Sequence, residues 1–232
     1  MIKFILFYFA AQFMGAGFLL FSHIRKNPHL DYCKSLAWIL NVKLIQKEPV
    51  SNIDSTTPII FLCNHRDWGD YIVDSILTND ATYLSRMMVL PASLFSSLLA
   101  LMYSRVIFFN KSAIKRPVLY GRIKDRLKQN NVIIYPEGTR NLTSQSKPLK
   151  YGIIKFAYVN STPVQIIITT NKEHIISQKR YSINFGINCH VRRSKIFHPK
   201  DYSSVEEWIA NINTEWHQIW DKSYLDDLVN KK

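Results

Sequence analysis

Two short polar clusters in this 232-residue chain combine the residue types that acid–base chemistry and anion binding require. The first covers residues 64–70 (NHRDWGD) and directly follows the apolar run PIIFLC. The second covers residues 136–140 (PEGTR) and directly follows the apolar run VIIY. Because α/β proteins commonly place reactive groups where strands end, both clusters are candidates for a functional site.

His65 and Asp70, in the first cluster, could form a general base. Five residues subtend about 140° around a helix, so the two side chains meet only if His65 lies on a strand-to-helix turn and Asp70 lies in the first helical turn. Asp67, Trp68 and Gly69 suit such a turn. Asp70 would then accept the Nδ1 proton of His65 and leave Nε2 free as a base for a substrate hydroxyl. Alone, the spacing also fits a histidine and an aspartate that cap a helix.

The second cluster could bind an anion. Glu137 and Gly138 suit a tight turn, and Arg140 at its end could bind a phosphate through two parallel hydrogen bonds. Thr139 and the backbone N–H groups of the turn would add donors. The alternative is an ordinary surface turn, and this motif alone does not decide between the two.

The elements that must position both clusters alternate between apolar strands and helices. The sequence predicts strands near residues 58–63, 81–84, 106–109, 132–135, 164–169 and 182–197. It predicts helices near residues 30–40, 68–77, 117–129, 150–159 and 205–220. This alternation is typical of an α/β fold, and the apolar strands indicate a single domain with a mixed, largely buried central sheet flanked by helices. The seven glycines form neither a P-loop nor a GxGxxG motif, which excludes those nucleotide-binding loops.

An N-terminal hydrophobic helix is expected to precede this domain. Residues 4–22 (FILFYFAAQFMGAGFLLFS) are uncharged, and a helix of that length is roughly 28 Å long, close to the thickness of the hydrocarbon layer. We therefore predict a membrane anchor over residues 1–26 and the α/β domain over residues 27–232. A buried core helix and a cleaved signal peptide are the alternatives, although the small-residue site GAG lies inside the apolar run, where cleavage is unfavourable.

The charges that flank this helix predict its orientation. Lys3 precedes the apolar run, and Arg25 and Lys26 follow it. By the positive-inside rule the rest of the chain then faces the cytosol. The sequence thus predicts a single-pass or monotopic membrane protein with its α/β domain on the cytosolic side.

Two smaller features have a simpler interpretation beside a functional one. Cys33, Cys63 and Cys189 have neither metal nor redox spacing, so they are predicted to be reduced, buried thiols. The last helix, with a possible capping box at Ser203 and Glu206, carries an apolar stripe with three tryptophans that favours core packing or a membrane-facing side.

Together, the two clusters resemble the motifs of the glycerolipid acyltransferases of the 1-acylglycerol-3-phosphate acyltransferase family. NHxxxxD followed later in the chain by EGTR carries the resemblance. The family's GxxFIxR block aligns with residues 105–111 (RVIFFNK), where Arg105 replaces Gly, Phe109 replaces Ile and Lys111 replaces Arg. Its proline-containing strand aligns with residues 162–165 (TPVQ), so the resemblance covers about residues 58–168.

The resemblance implies the reaction. His65, polarised by Asp70, would take the proton of the sn-2 hydroxyl of a lysophospholipid, in the first place 1-acylglycerol 3-phosphate, whose oxygen attacks the thioester of acyl-CoA and gives phosphatidic acid. The substrate-binding residues would be Asn64, Arg105, Lys111, Glu137, Gly138, Thr139 and Arg140. The scheme uses no metal and no bound cofactor. Acyl-CoA takes part as a co-substrate. The departures at Arg105 and Lys111 leave other acceptors open: glycerol 3-phosphate, a lysophospholipid with a larger headgroup, or transacylation between lipids.

A second apolar segment has two functional interpretations. Residues 87–103 (MMVLPASLFSSLLALMY) are interrupted by Pro91 and are too short to span a bilayer comfortably. They could lie in the membrane interface or line an acyl-chain pocket, and an ordinary buried helix is the alternative.

The charge distribution agrees with anionic lipids as partners. The chain has a net charge of +13, and residues 105–155 hold 12 basic and two acidic residues, a net charge of +10. Basic residues beside a membrane anchor attract anionic lipid, although a solvated helix face accounts for some of them. The expected partners are membrane lipids, acyl-CoA and a lysophospholipid acceptor. Nucleic acid is not expected, because no nucleic-acid-binding signature is present. The non-enzymatic alternative is a basic, membrane-tethered binding protein.

Overall fold

The computed structural model describes residues 2–48, 57–110 and 115–229. The helices are α1 (Ile2–Leu20), α2 (Pro28–Ile39), α3 (Gly69–Leu77), α4 (Val89–Ala92), α5 (Leu94–Met102), α6 (Arg116–Leu127), α7 (Tyr151–Val159), α8 (Lys172–Ile175) and α9 (Val205–Val229). The strands are β1 (Lys43–Gln46), β2 (Ile60–Cys63), β3 (Thr82–Arg86), β4 (Val106–Phe109), β5 (Val132–Ile134), β6 (Val164–Thr169), β7 (Ile176–Ser177), β8 (Ser182–Ile183) and β9 (Asn188–Phe197).

Seven of these strands form one mixed sheet in the order β1-β9-β6-β2-β5-β3-β4. The five strands from β6 to β4 are parallel to one another. Strand β9 is antiparallel to β6, and β1 is parallel to β9. β7 and β8 form a separate antiparallel hairpin. The predicted mixed, largely buried sheet is confirmed.

Each central strand supplies side chains to two cores, because successive residues of a strand point to opposite faces. In β2, Phe61 and Cys63 pack into one core together with α2 and α3. Ile60 and Leu62 pack into the other core together with α6, α7 and α9. Helices therefore cover both faces of the sheet, as the alternation of strands and helices predicted.

The C-terminal helix α9 belongs to the core. Trp208, Trp216 and Trp220 are completely buried, so the core interpretation of its apolar stripe is correct. The cap lies one residue later than predicted. The carboxylate of Glu207, not Glu206, accepts the backbone N–H of Ser203 at 2.9 Å.

Helix α1 packs along α5 and also contacts α2. Gln12 Oε1 accepts the backbone N–H of Phe95 at 3.1 Å, and the Tyr32 hydroxyl donates to the carbonyl oxygen of Ala11 at 3.2 Å. Of the described residues, only those of α1 form a helix long and apolar enough to cross a membrane, judged by length and composition. Its exposed side carries Ile2, Ile5, Leu6, Phe9 and Phe13. It is therefore not a buried core helix.

The second apolar segment forms α4 and α5, and α5 is only half buried. Leu99 and Ala100 lie in the interior, whereas Leu94, Leu98 and Leu101 are exposed. The exposed leucines lie on the helix that packs against α1. The segment is therefore not the ordinary buried helix that was the alternative to its two functional interpretations.

The parallel strands also decide where the polar clusters lie. β2, β5 and β6 are neighbours with the same direction, so their carboxyl ends meet at one edge of the sheet. The chain segments that leave these three ends are residues 64–68, 135–141 and 170–171. Both predicted clusters are therefore brought together.

Candidate active site

His65 and Asp70 form the predicted contact. His65 lies on the turn between β2 and α3, and Asp70 is in the first turn of α3. The Nδ1 atom of His65 and Oδ2 of Asp70 are 2.7 Å apart. Asp70 also accepts the backbone N–H groups of Arg66 at 2.7 Å and Asp67 at 3.2 Å. One carboxylate therefore shapes the turn and orients the imidazole ring.

The electrostatics favour an ionised Asp70. Burial alone would raise the pKa of Asp70, but the positive charge of Lys172 and the hydrogen bond from His65 hold it below its ordinary value. An ionised carboxylate can only accept, so Nδ1 of His65 carries the proton. Nε2 has no hydrogen-bond partner among the described residues. With its side chain 27% exposed, His65 can meet a substrate hydroxyl as a base.

The turn after β5 is attached to the backbone of His65. Glu137 Oε1 accepts the His65 N–H at 3.2 Å, and the N–H of Asn141 donates to the His65 carbonyl oxygen at 2.8 Å. Gly138 has a φ of +68°, in the left-handed region where a side chain is unfavourable. Glu137 is 3% exposed, and burial raises its pKa. Its position fits the orientation of His65 rather than the predicted contact with substrate.

The open side of this turn is cationic. Thr139 and Arg140 are exposed, and the Lys150 side chain lies directly over Gly138. Arg140 Nη1 lies 3.0 Å from Oδ1 of Asp67, so its guanidinium joins the two clusters. These cations, within reach of the turn, are suited to an anionic group on a ligand.

Asn64 does not lie where the prediction placed it. It is completely buried, and its side-chain amide forms hydrogen bonds with the backbone of the neighbouring strand β6. Its Nδ2 donates to the Thr169 carbonyl oxygen, and its Oδ1 accepts the Thr169 N–H, both at 3.0 Å. This reciprocal pair joins the ends of β2 and β6, and no part of the Asn64 side chain is exposed for contact with a substrate.

Arg105 is the second correction. It precedes β4, at the amino end of a parallel strand, whereas His65 follows the carboxyl end of β2. Its Nε lies 2.8 Å from Oδ2 of Asp80, and its Nη1 donates to Asn130. Arg105 thus lies at the opposite edge of the sheet and has a structural ion pair there. The remaining predicted ligand, Lys111, lies outside the described residues.

Three residues that the sequence analysis did not single out complete the site. The ring of Tyr135 stacks on that of His65, and its hydroxyl donates to Oδ2 of Asp74 at 2.9 Å. Lys172 Nζ lies 2.9 and 2.8 Å from the two carboxylate oxygens of Asp74. The rule that drew attention to the first two clusters would have found Lys172, because residues 169–173 (TTNKE) are a polar run after an apolar strand.

Comparisons with known proteins agree with this geometry. The profile of a family described as Acyltransferase matches residues 41–169, which is more than half of the chain. Among solved structures, the 1-acyl-sn-glycerophosphate (LPA) acyltransferase PlsC from Thermotoga maritima has a similar fold, with a TM-score of 0.73 and 16% sequence identity. The alignment covers 97% of this chain and 95% of that chain. Curated protein sequences give no significant match.

Proposed function

This chain belongs to the acyltransferase family, and from that premise we propose that it transfers a fatty acyl group from acyl-CoA to the sn-2 hydroxyl of a lysophospholipid. The acceptor we favour is 1-acylglycerol 3-phosphate, which would give phosphatidic acid. The observation that carries the proposal is the 2.7 Å contact between His65 Nδ1 and Asp70 Oδ2, beside a cationic turn. The fold likeness to PlsC, which is described as acting on 1-acyl-sn-glycerophosphate, supports it.

In the proposed reaction, Nε2 of His65 removes the proton of the acceptor hydroxyl while the hydroxyl oxygen attacks the thioester carbonyl carbon. The new C–O bond forms, the tetrahedral intermediate collapses, and the C–S bond breaks. Coenzyme A leaves as a thiolate, which takes up the proton from the imidazolium. Asp70 stays ionised throughout and stabilises the imidazolium. No bound cofactor takes part.

The acceptor's phosphate would lie on the open side of the turn after β5. The family resemblance assigns Gly138, Thr139, Arg140 and Lys111 to this phosphate. Arg140 and Thr139 carry side-chain donors, whereas the backbone N–H of Gly138 already donates to the Tyr135 carbonyl oxygen at 3.0 Å. Lys150 joins this set in our proposal, because its side chain lies over Gly138. Arg140 already contacts Asp67 at 3.0 Å, so it would hold the phosphate with only part of its guanidinium.

An open groove with a mainly apolar lining lies near the catalytic turn. It has a volume of about 450 Å³. It is lined by Ile2, Lys3, Phe4, Tyr181, Ser182 and Ile183. The ring of Phe4 lies 6.0 Å from that of Trp68, which belongs to the turn that carries His65. We propose that part of an acyl chain lies along this groove, because its lining is mainly apolar and it adjoins the turn that carries His65.

Lipid substrates also require contact with a membrane. The exposed side chains of α1 and the exposed leucines of α5 form an apolar surface on two helices that pack together. Surfaces of this kind mark membrane or protein contacts. We propose that this apolar surface lies in the cytosolic interface of the membrane, so that the protein is monotopic rather than single-pass. The reason is that contacts with α2 and α5 hold α1 against the domain.

The test is a panel of substrates with purified protein in phospholipid vesicles. Labelled acyl-CoA and labelled acyl carrier protein thioester are each offered with lysophosphatidate, glycerol 3-phosphate, lysophosphatidylcholine or lysophosphatidylethanolamine. We expect labelled phosphatidic acid from acyl-CoA and lysophosphatidate. His65→Gln should lower the rate by about a thousandfold, whereas His198→Gln, outside the site, should not.

Each arm of the panel decides one part of the proposal. Label on other lysolipids alone would overturn the proposed acceptor, and transfer only from the carrier-protein thioester would overturn the proposed donor. Full activity of the His65→Gln variant would remove His65 from the mechanism. If no acceptor takes up label from either donor, the proposed reaction is wrong.

A further inference from the structure

Lys172 is a completely buried cation behind the His65–Asp70 pair. Its Nζ contacts both carboxylate oxygens of Asp74, at 2.9 and 2.8 Å, and lies 3.6 Å from Oδ1 of Asp70. The side chains of all three residues are at most 4% exposed. Thus one cation joins two carboxylates, of which only Asp70 contacts His65.

Helix α3 and the segment after β6 bring Asp70, Asp74 and Lys172 together. Asp70 and Asp74 are four residues apart on α3, so their carboxylates lie on one helix face. A Cβ atom at Gly69 would overlap the carbonyl oxygen of Lys172, which means that the start of α3 lies directly against the segment after β6. A buried ion pair contributes little net stability compared with apolar residues of similar size. Stability alone therefore does not explain three buried charges at this position.

We propose that Lys172 and Asp74 are positioning residues whose ion pair holds Asp70 ionised against His65 without cancelling its charge. The inference rests on the proposed acyl transfer for its kinetic readout. With a neutral His65, the charges of Asp70, Asp74 and Lys172 sum to −1, and proton transfer to His65 brings the sum to zero. Without Asp74, the same sums would be zero and +1, so His65 would accept a proton less readily.

The protonation states of Asp74 and of the neighbouring groups agree with these charge sums at neutral pH. Burial raises the pKa of Asp74 to about 6, so it is ionised in neutral and alkaline solution. The other titratable or charged groups that face the cluster are Cys63, Arg66, Tyr135, Glu137 and Arg193. Burial raises the pKa of both Cys63 and Tyr135, so these two groups are neutral. Replacement of Asp74 by asparagine therefore removes one negative charge from a set whose other members persist.

The experiment measures the protonation of His65 directly. Protein with ¹³C-labelled histidine is titrated by NMR between pH 5 and 9, and the His65→Gln variant identifies the signal. In the Asp74→Asn variant, the midpoint pH of His65 should fall by about one unit, because Lys172 is no longer balanced. The acid limb of kcat/KM should move in the same direction, and its plateau should fall about tenfold, since a weaker base transfers protons more slowly.

Two further variants separate this role from a structural one. The double variant Asp74→Leu/Lys172→Met removes one charge of each sign and replaces the pair by apolar side chains, so the midpoint should return to that of the wild type. Asp80→Asn removes another buried carboxylate that pairs with a cation, at the opposite edge of the sheet, and should leave the midpoint unchanged.

The outcomes are distinguishable. A folded Asp74→Asn variant with an unchanged or raised midpoint overturns the inference. So does a double variant whose midpoint stays low, which also decides the matter if the single variant does not fold. Absence of acyl transfer by the wild type would overturn the proposed function, while the NMR midpoints would still test the role of Lys172 and Asp74.

Discussion

The phenol ring of Tyr135 stacks on the imidazole of His65, with ring centroids 4.5 Å apart and an angle of 22° between the planes. The hydroxyl of the same tyrosine donates to Asp74, so one side chain supports both the ring of the base and the buried carboxylate behind it. Tyr135 is the last residue before Pro136, and the turn that starts there is attached to the backbone of His65. The two polar clusters therefore behave as one unit.

The stacking contact predicts a difference between two substitutions of Tyr135. Tyr135→Leu removes the ring and should lower kcat/KM about tenfold, because aromatic pairs contribute about 0.5–1.5 kcal/mol beyond burial. Tyr135→Phe keeps the ring and should stay within about threefold of the wild type, although the lost hydrogen bond to Asp74 should cost about 1–2 kcal/mol of stability. Steady-state kinetics and urea unfolding measure the two effects. Equal losses of activity in both variants would show that the hydroxyl, not the stack, matters.

The close approach of Gly69 to Lys172 predicts an opposite response of two helical glycines. Gly69→Ala should destabilise the fold by about 2 kcal/mol, because the added Cβ meets the Lys172 carbonyl oxygen and α3 must shift. The same shift moves Asp70 relative to His65, so activity should fall as well. Gly121→Ala, in α6 with open space around the new Cβ, should gain up to about 1 kcal/mol and keep full activity. If Gly69→Ala is neutral in urea unfolding, α3 and α8 are not in contact there.

The raised pKa of Asp74 predicts a particular pH dependence of stability. Burial raises it from an ordinary 3.8 to about 6. Between these values the folded protein holds a proton that the unfolded chain releases, so the free energy of unfolding falls as the pH rises. A shift of this size corresponds to about 3 kcal/mol. Above pH 6 this contribution to the free energy of unfolding is lost, and below pH 4 it is fully present.

The Asp74→Asn variant isolates this contribution, because the other carboxyl groups titrate in both proteins. The stability of the wild type relative to the variant should decrease between pH 4 and pH 6 and then level off. Urea unfolding at half-unit intervals of pH measures the difference. A constant difference over this range would contradict the titration of a buried Asp74.

The apolar surface of α1 predicts that membrane binding can be removed without loss of the fold. Phe9 and Phe13 are exposed, with 55% and 77% of their surface accessible. A Phe9→Asp/Phe13→Asp double variant should no longer float with vesicles of anionic phospholipid, because charged residues are costly in the interface. Val159→Asp, at an exposed apolar position on α7, is the matched control and should float like the wild type. Equal flotation of both variants would place the membrane contact elsewhere.

Local sequence patterns alone determined the central strands, the last helix and the contact between His65 and Asp70. The apolar runs set the central strands, and the i, i+3, i+4 rhythm set the last helix, because both signals depend on neighbours within one element. The contact of His65 with Asp70 was predictable for the same reason, since it requires only a strand, a turn and one helical turn. Strand β1 was missed because its short sequence KLIQ is largely exposed and lacks an apolar pattern.

The tertiary structure decided which of the remaining residues belong to the site. Lys172 and Asp74 are 98 residues apart in the chain, and they meet because β6 lies beside β2 in the same direction. Arg105 lies within an aligned motif, yet strand direction places it at the other edge of the sheet, beside Asp80. Local spacing cannot encode such relationships, because they depend on the order and direction of strands that are far apart in sequence.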